Sequence, residues 1–347
     1  MTQRRVEFLY LTQQDVIDCG VTNMAMVMNK IEKLFSLRDK GETILPDKVA
    51  LRWGDADSEA QTGRINAMPG YVGGDVDVAG IKWIASKPMN PRHYNMPRAS
   101  ALTILNNAET GFPLAVMDGT VISAMRTGAA TGVAAKYLAR KDSKVLCLIG
   151  AGTQNHTQMM AVKTALPGIN EIHVYDISMD RVKAFIEKAR EEVPDAHIEA
   201  CVSAPEALKG ADVIVSATTA VSPIVKAEWV EDGVFISNVG NYEYEFDVVR
   251  KAQKIVTDDW DGVIHRGIQT IAKMVLAGEL SKERFHGNIG EIINGKKAAR
   301  ENDNEIIFYN AIGMGIEDII VAKEIYDRAL TLGKGQKLTL WEEPYWV

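Results

Sequence analysis

The residues best able to do chemistry gather at a glycine-rich turn. Gly150-Ala151-Gly152 follows five apolar residues, Val145-Leu146-Cys147-Leu148-Ile149, and precedes a segment read as helix. In a strand–turn–helix of this kind the first glycine makes the tight turn. The second lets the backbone approach a pyrophosphate, which rests on the free amides and positive dipole end of the helix. The third position of the glycine fingerprint is Asn155 rather than Gly or Ala. Glycines alone are a weak signal, and the acidic residue ending the next strand strengthens it. That residue is Asp176, after His173-Val174-Tyr175. Its carboxylate can accept from both ribose hydroxyls and would repel a 2′-phosphate. The residues that follow, Ile177-Ser178-Met179, include no arginine. NAD(H) is therefore the expected cofactor rather than NADP(H). Asp176 can also cap the following helix, a role compatible with the first. Gly150, Gly152, Thr153, Gln154 and Asp176 form the core of this expected site. Ser216, Thr218 and Val239 join it, because their loops follow strands whose carboxyl ends form a ligand crevice. Ordinary turn chemistry is the alternative for these loops.

The elements around the turn alternate. Strands are expected at 144–149, 171–176, 197–202, 212–216, 233–238 and 254–257, with helices between several of them, which implies a parallel, doubly wound Rossmann sheet. The chain then reads as helical after Asp258, with a last helix from about 315 to 332 and a polar tail ending in residues 341–347. Before the parallel region the texture differs. Thr12-x-x-Asp15 resembles a capping box. Met24, Val27, Met28, Ile31, Leu34 and Phe35 recur at helical spacing within 21–40, and Gly41 supplies a stop. From Thr43 to Asp118 short strands are expected, among them 81–85, 99–105 and 113–117, the last two flanking a hairpin turn at 106–111. Residues 121–140 read as a helix whose Gly128 and Gly132 permit close packing at a domain junction. An α/β chain follows: a Rossmann domain at 129–311, inserted in an α+β domain built from 1–128 and 312–347.

Composition bounds the rest. The 347 residues exceed one ordinary core. A net charge of −7, with no local block of Lys or Arg, argues against a nucleic-acid partner. No apolar run reaches the ~18 residues of a membrane span. Met1-Thr2-Gln3-Arg4-Arg5 is not followed by an apolar signal core, so a cytoplasmic protein is expected. The three cysteines and six histidines are dispersed without metal-ligand spacing, so no metal site is expected.

A longer ordered set then becomes visible: Ala67-Met68-Pro69-Gly70, Gly80-Ile81-Lys82, Glu109-Thr110-Gly111-x-Pro113 through Gly119, Arg126-Thr127, Gly150-Ala151-Gly152-x-Gln154, and Gly313-Met314-x-Ile316-Glu317-Asp318. On these motifs the whole chain resembles the ornithine cyclodeaminase/mu-crystallin family. Residues 48–53, 81–86 and 97–101, with Asp258-Asp259-Trp260, resemble the branch that contains N-(2-amino-2-carboxyethyl)-L-glutamate dehydrogenase. The resemblance implies a Rossmann domain inserted in a domain that binds substrate and forms a dimer, or a higher homo-oligomer. It also implies hydride transfer between a nicotinamide and an amino-acid C–N carbon. It assigns Arg126 to the substrate α-carboxylate and Lys82 to the active-site lysine, and it puts Lys48 where many members have a second carboxylate-binding arginine. Thr127 and Gly313 join the cofactor-binding set. The chemistry suits the residue types: a guanidinium grips a carboxylate with two parallel hydrogen bonds, and a buried lysine can move a proton. Structural alternatives are a junction ion pair for Arg126 and a surface position for Lys82.

One segment departs from the family. Cyclodeaminases carry a catalytic Asp in Gly-x-Asp after the fifth Rossmann strand; here the segment is Gly240-Asn241-Tyr242-Glu243. Tyr242 takes the Asp position, and Glu243 is the one carboxylate that could serve from a shifted place. Both are kept as candidate substrate-binding residues. The leading expectation is an NAD-dependent amino-acid dehydrogenase or imine reductase. The alternatives are ornithine cyclodeaminase and a noncatalytic NAD(P)-dependent binding protein of the mu-crystallin kind, against which Lys82 and Arg126 argue.

Overall fold

A computed structural model describes residues 5–54 and 62–346 of the chain. Met1-Thr2-Gln3-Arg4, at the N-terminus read above, and the final Val347 lie outside the described residues. The chain divides into two compact units, one of residues 1–126 and 314–347, the other of residues 127–313.

Among the described residues the first unit holds one eight-stranded sheet. Its strands run in the order Gln336–Trp341, Val6–Leu11, Pro113–Asp118, Ala99–Asn107, Val78–Ser86, Gly63–Val72 and Thr43–Ile44, with Val49–Trp53 also paired to Gly63–Val72. The pairing is antiparallel except where Val6–Leu11 lies parallel to Pro113–Asp118. Strand residues alternate between two faces. Register therefore puts Met68, Lys82 and Thr103 side by side on one face, and Ala67, Trp83 and Leu102 on the other. The helix Gly315–Leu332 covers the first of these faces. Its start is pressed onto the sheet: a Cβ on Gly315 would stand 2.5 Å from the Met68 carbonyl oxygen. From there it runs toward Gly70 and Gly80, whose added Cβ atoms would meet Ile316 and Ile319.

The second unit is a parallel sheet in the order His197–Ala200, Glu171–Tyr175, Val145–Ile149, Val213–Ser216, Phe235–Asn238, Ile307–Asn310, Lys254–Thr257 and Gly287–Asn288. Every ladder in it is parallel. Chain order reverses at Val145–Ile149, the switch point at which such sheets bind ligands. The central strand Val145–Ile149 is a continuous apolar run because both faces of a parallel sheet are buried there, whereas the edge strand His197–Ala200 is polar and largely exposed.

Several expectations need correction. The Thr12/Asp15 capping box exists, but it caps a separate six-residue helix, Gln13–Asp18, while Asn23 caps Met24–Asp39. The tail after 332 is not merely polar coil, since Gln336–Trp341 is an edge strand on Val6–Leu11. The region after Asp258 is not wholly helical either, because Ile307–Asn310 inserts between Phe235–Asn238 and Lys254–Thr257. That strand is four residues, entirely buried, and follows a polar stretch. So short a run carries no periodicity that separates strand from helix. No helix among the described residues is long and apolar enough to cross a membrane.

The helix Thr120–Leu138 does pack closely: a Cβ on Gly128 would lie 2.3 Å from the Thr157 carbonyl oxygen in Thr153–Ala165. Gly128→Ala should therefore destabilise the protein by about 1–3 kcal/mol despite alanine's better helix propensity. A lower urea midpoint with unchanged slope is the expected result, and an unchanged or higher midpoint would refute the close approach.

Candidate functional site

In the first unit the candidate residues form a buried charge cluster. Lys82 lies mid-strand with 1% of its surface exposed, and its Nζ donates to Asp318 Oδ2 at 2.7 Å and to Ser123 Oγ at 3.3 Å. Arg126 Nη1 donates to Glu317 Oε2 at 2.6 Å, and its Nε lies 3.1 Å from Asp318 Oδ2. Ser123 and Arg126 come from the helix Thr120–Leu138, one turn apart. Glu317 and Asp318 occupy the first turn of Gly315–Leu332, where the helix dipole favours carboxylates. Asp318 thus bridges the lysine and the arginine, and two cations balance two anions.

Charges taken out of water must be paired or neutralised. Burial and the positive charge of Arg126 pull the Lys82 ammonium down from 10.5 to about 8, although Asp318 and Glu317 oppose the shift. Burial pushes the Glu317 carboxyl up, opposed by Arg126. The cluster retains hydrogen-bonding capacity: Thr103 Oγ1, Glu317 Oε1 and Asp318 Oδ1 are buried with no hydrogen-bond partner among the described residues. Lys48, half-buried, stands one residue before Val49, which pairs with Ala67, so strand register brings it toward Met68 and the Lys82 row.

In the second unit the glycine turn has the geometry its sequence demands. Gly150 has φ of 102°, and a Cβ there would lie 2.9 Å from the Ala217 carbonyl oxygen. Gly152 is the N-cap of Thr153–Ala165, and a Cβ there would meet nothing within 4 Å. Internal packing does not require glycine at 152, and its backbone stands open at the start of the helix. Asn155 explains its own departure from the fingerprint: its buried side-chain amide donates to the carbonyls of Ile149 and Gly150, closing the turn from within. Asp176 accepts from the Ala151 amide at 2.9 Å and from the Ser178 amide at 3.0 Å, so it buttresses the turn and caps the next segment. Being only half-buried, it keeps lone pairs for a ligand hydroxyl. Gln154 adds a buried Oε1 with no partner among the described residues. This donor and acceptor set fits a dinucleotide.

Four expected residues, Glu243, Ser216, Thr218 and Gly313, are placed differently. Glu243 is fully buried, and its two carboxylate oxygens accept from Ser216 Oγ, the Thr218 amide and hydroxyl, Asn238 Nδ2 and the Gly240 amide, at 2.6 to 3.1 Å. Its lone pairs are spent on tying together the loops after Val213–Ser216 and Phe235–Asn238. The expectation that Glu243 binds substrate is corrected accordingly. Ser216 and Thr218 likewise turn their hydroxyls to Glu243, leaving their backbones to line the loop. Gly313, the last residue of this unit, has φ of 73° and gives its amide to Asp258 Oδ2 at 2.8 Å, which makes it a chain-turning residue. Tyr242 is half-buried, with its ring 5.5 Å from that of Phe246 and the Lys273 Nζ 5.6 Å from its centroid. The Val239 amide donates to the Ser216 carbonyl, and the Thr127 carbonyl accepts from Gln158 Nε2 at 3.1 Å.

Glu317 and Asp318 were missed as site residues. Their signal was present: two consecutive acids interrupt the apolar stripe of Ile316, Ile319 and Ile320, where a surface helix would place hydrophobes.

The profile of the ornithine cyclodeaminase/mu-crystallin family matches residues 9–333. The chain belongs to the ornithine cyclodeaminase/mu-crystallin family. The family member N-((2S)-2-amino-2-carboxyethyl)-L-glutamate dehydrogenase of Staphylococcus aureus is 35% identical over 96% of this chain and 99% of its own. Delta(1)-pyrroline-2-carboxylate reductase of Thermococcus litoralis, solved with NADH and L-proline, superposes with a TM-score of 0.87 at 35% identity, covering 95% of this chain and 99% of that one. An archaeal alanine dehydrogenase dimer with bound NAD gives a TM-score of 0.87 at 38% identity, covering 97% and 100%.

The charge cluster makes a titration testable. In 15N-lysine NMR, Lys82 should lose its proton near pH 8. Asp318→Asn removes the anion that holds the ammonium, so the midpoint should move lower still. A midpoint near 10, or one that rises in Asp318→Asn, would contradict the buried pair.

Proposed function

We propose that the chain is an NAD(H)-dependent dehydrogenase or imine reductase that transfers hydride reversibly between the nicotinamide and the α-carbon of an imino or secondary amino acid. The observation that carries this reading is the buried cluster of Lys82, Asp318, Arg126 and Glu317. A protein that only needed stability gains little from four buried charges. A lysine losing its proton near neutral pH suits proton transfer.

Residues 127–313 bind the dinucleotide. The glycine turn and the start of Thr153–Ala165 take the pyrophosphate, and Asp176 takes the ribose hydroxyls. When bound, the nicotinamide supplies or accepts the hydride. Arg126, its guanidinium plane fixed by Glu317 and Asp318, holds the substrate α-carboxylate, with Lys48 as a second cation. Lys82 delivers a proton to the substrate nitrogen in the reductive direction and recovers it in the other, and Asp318 keeps its Nζ in place. Relatives named as dehydrogenases or reductases, at 35–40% identity, support this over the cyclodeaminase reading, whose named relative is 29% identical. Tyr242 offers no carboxylate for ring closure.

The test is NADH absorbance with 2-oxo acids plus amines, and NAD+ reduction with amino acids. Arg126→Lys keeps the charge but loses the planar fork, so kcat/KM should fall about 100-fold while NADH affinity stays within two-fold. Loss of NADH binding in Arg126→Lys would show a structural residue instead. Proline and ammonia formed from ornithine without net NADH change would overturn the reading.

We further propose a homodimer formed through the sheet of the first unit. Its outward face carries Val49, Trp83 and Leu102, exposed by 70, 45 and 45%, in one row with Ala67. Leu51 and Ile65 form the next row. A contiguous apolar face of this kind marks an interface. The double variant Trp83→Glu, Leu102→Glu should give monomers in light scattering, whereas an unchanged mass would exclude this face.

A further inference from the structure

The second unit carries a group of ionisable side chains that the cofactor turn does not use. It stands on Glu171–Tyr175, the strand between Val145–Ile149 and the edge strand His197–Ala200. Register sets Cys147, His173 and Glu199 in one row, and Val145, Glu171 and His197 in the row before it. Residues two apart on a strand share a face. Glu171 and His173 therefore project side by side from one strand, and Glu199 meets them from the next. The five-residue helix Ala204–Leu208 packs over the same face. A surface cavity of about 420 Å³ opens here, lined by Glu171, His173 and Glu199 together with Glu206 and Lys209.

A histidine inside a sheet needs a reason. His173 is only 8% exposed, and its Nδ1 lies 3.0 Å from the Ala207 carbonyl oxygen. A carbonyl only accepts, so Nδ1 carries the ring proton. That carbonyl is available because the last carbonyls of a helix have no intrahelical partner. The contact fixes the ring and leaves the Nε2 lone pair as its second polar site. Nε2 is aimed between two carboxylates, with Glu171 Oε1 at 2.8 Å and Glu199 Oε2 at 3.9 Å. Lone pairs converging in this way repel unless a positive charge stands among them. Lys209 lines the cavity but makes no ion pair among the described residues. Glu206 is already engaged, its Oε2 accepting from the Val202 amide at 2.7 Å.

The distances suit one cation shared by all three side chains. Nε2 and one oxygen of each carboxylate lie within 4.8 Å of one another. Around a zinc ion with ligands at ~2.0–2.1 Å, tetrahedral neighbours stand about 3.3 Å apart. The separations of 2.8 and 3.9 Å bracket that value. The Glu171 and Glu199 side chains are 44 and 50% exposed, so they can close on an ion and leave its fourth position to water. Metal-binding histidines are oriented in the same manner, by giving the other ring N–H to a backbone carbonyl. A mixed imidazole and carboxylate set suits zinc and its neighbours rather than magnesium or calcium, which take oxygen ligands.

We propose that Glu171, His173 and Glu199 bind a divalent transition-metal ion of the zinc class. The site uses none of the residues of the glycine turn or of the Lys82 cluster. The ion clips the edge strand His197–Ala200, which pairs with one neighbour alone among the described residues, to Glu171–Tyr175. A search of the sequence for helical histidine spacing passes over such a site, because its ligands stand two apart on one strand and across a strand pair.

The test uses the untagged full chain, stripped with EDTA and dialysed. Zinc chloride should bind at one ion per chain and raise the melting temperature, since a ligand that binds the folded state stabilises it. Magnesium chloride at the same concentration should leave the melting temperature unchanged. In 15N-histidine NMR, zinc should shift the Nε2 resonance of His173 while Nδ1 keeps its proton. Glu171→Gln and Glu199→Gln should each weaken zinc binding at least ten-fold, with NADH affinity within two-fold of the unaltered chain. His173→Gln should abolish the stabilisation, and where it fails to fold, the NMR titration and the two glutamate variants decide. A His173 protonated on both ring nitrogens and unmoved by zinc would overturn the site and leave an imidazolium between two carboxylates. Zinc affinity unchanged in both glutamate variants would overturn it equally, by placing the ion elsewhere.

Discussion

The placement of Asp318 is the constraint on which the candidate chemistry depends. One of its carboxylate oxygens meets both Lys82 and Arg126, so it sets the distance between a buried ammonium and a buried guanidinium. Neither cation has a cheap place in the core alone, because desolvating an ion costs several kcal/mol. The anion must therefore arrive with them, from an element that cannot shift. Gly315 provides that condition by letting the helix backbone sit directly on the Met68 carbonyl. The order of cause runs from a glycine contact, to a helix start, to two acids in its first turn, to two oriented cations. Burial and the charge of Arg126, only partly opposed by Asp318 and Glu317, bring the ammonium of Lys82 down from 10.5 to about 8.

The second unit solves a similar problem with hydrogen bonds in place of ion pairs. A parallel sheet ends in loops whose amides have no ladder partner, and two of these loops share one buried acceptor, Glu243. With five donors converging on it, the carboxylate is held although burial pushes its pKa upward. Asn155 and Asp176 do the same at the glycine turn, from inside the helix and from the neighbouring strand end. These loops are thus shaped in part by side chains, Glu243 and Asn155, whose polar atoms are turned inward to the backbone, which is why Glu243 reads as a site residue in sequence and as a loop tie in structure.

Much of this was legible in the sequence, for reasons that differ by element. The apolar run before Gly150, the acid at 176 and the alternation of strand and helix each depend on local spacing, and local spacing survives into the fold. Lys82 and Arg126 were legible only through the ordered motifs of a family, since nothing local marks a lysine in a strand as buried. Glu317 and Asp318 could have been read from their position on an apolar stripe. Ile307–Asn310 and Gln336–Trp341 could not, because a short strand becomes one through partners distant in sequence. The convergence of Ser216, Thr218, Asn238 and Gly240 on Glu243 is equally non-local, joining two strand ends that only the sheet makes neighbours.

A β-sheet also acts as a ruler. Because side chains alternate and rows repeat every two residues, pairing Met68 with Lys82 determines at once which residues share the face and how far along they stand. Arg64 and Lys82 are eighteen positions apart in sequence by their numbering, yet register leaves no freedom in their separation: four residues of one strand. A flexible loop bearing the same arginines could fold onto the acids of the cluster and neutralise itself. Held on strands, Arg52 and Arg64 stay directly opposite one another, and Arg64 stays two rows from Met68. The rigidity that costs stability at one end of the sheet also fixes how far apart its charged rows stand.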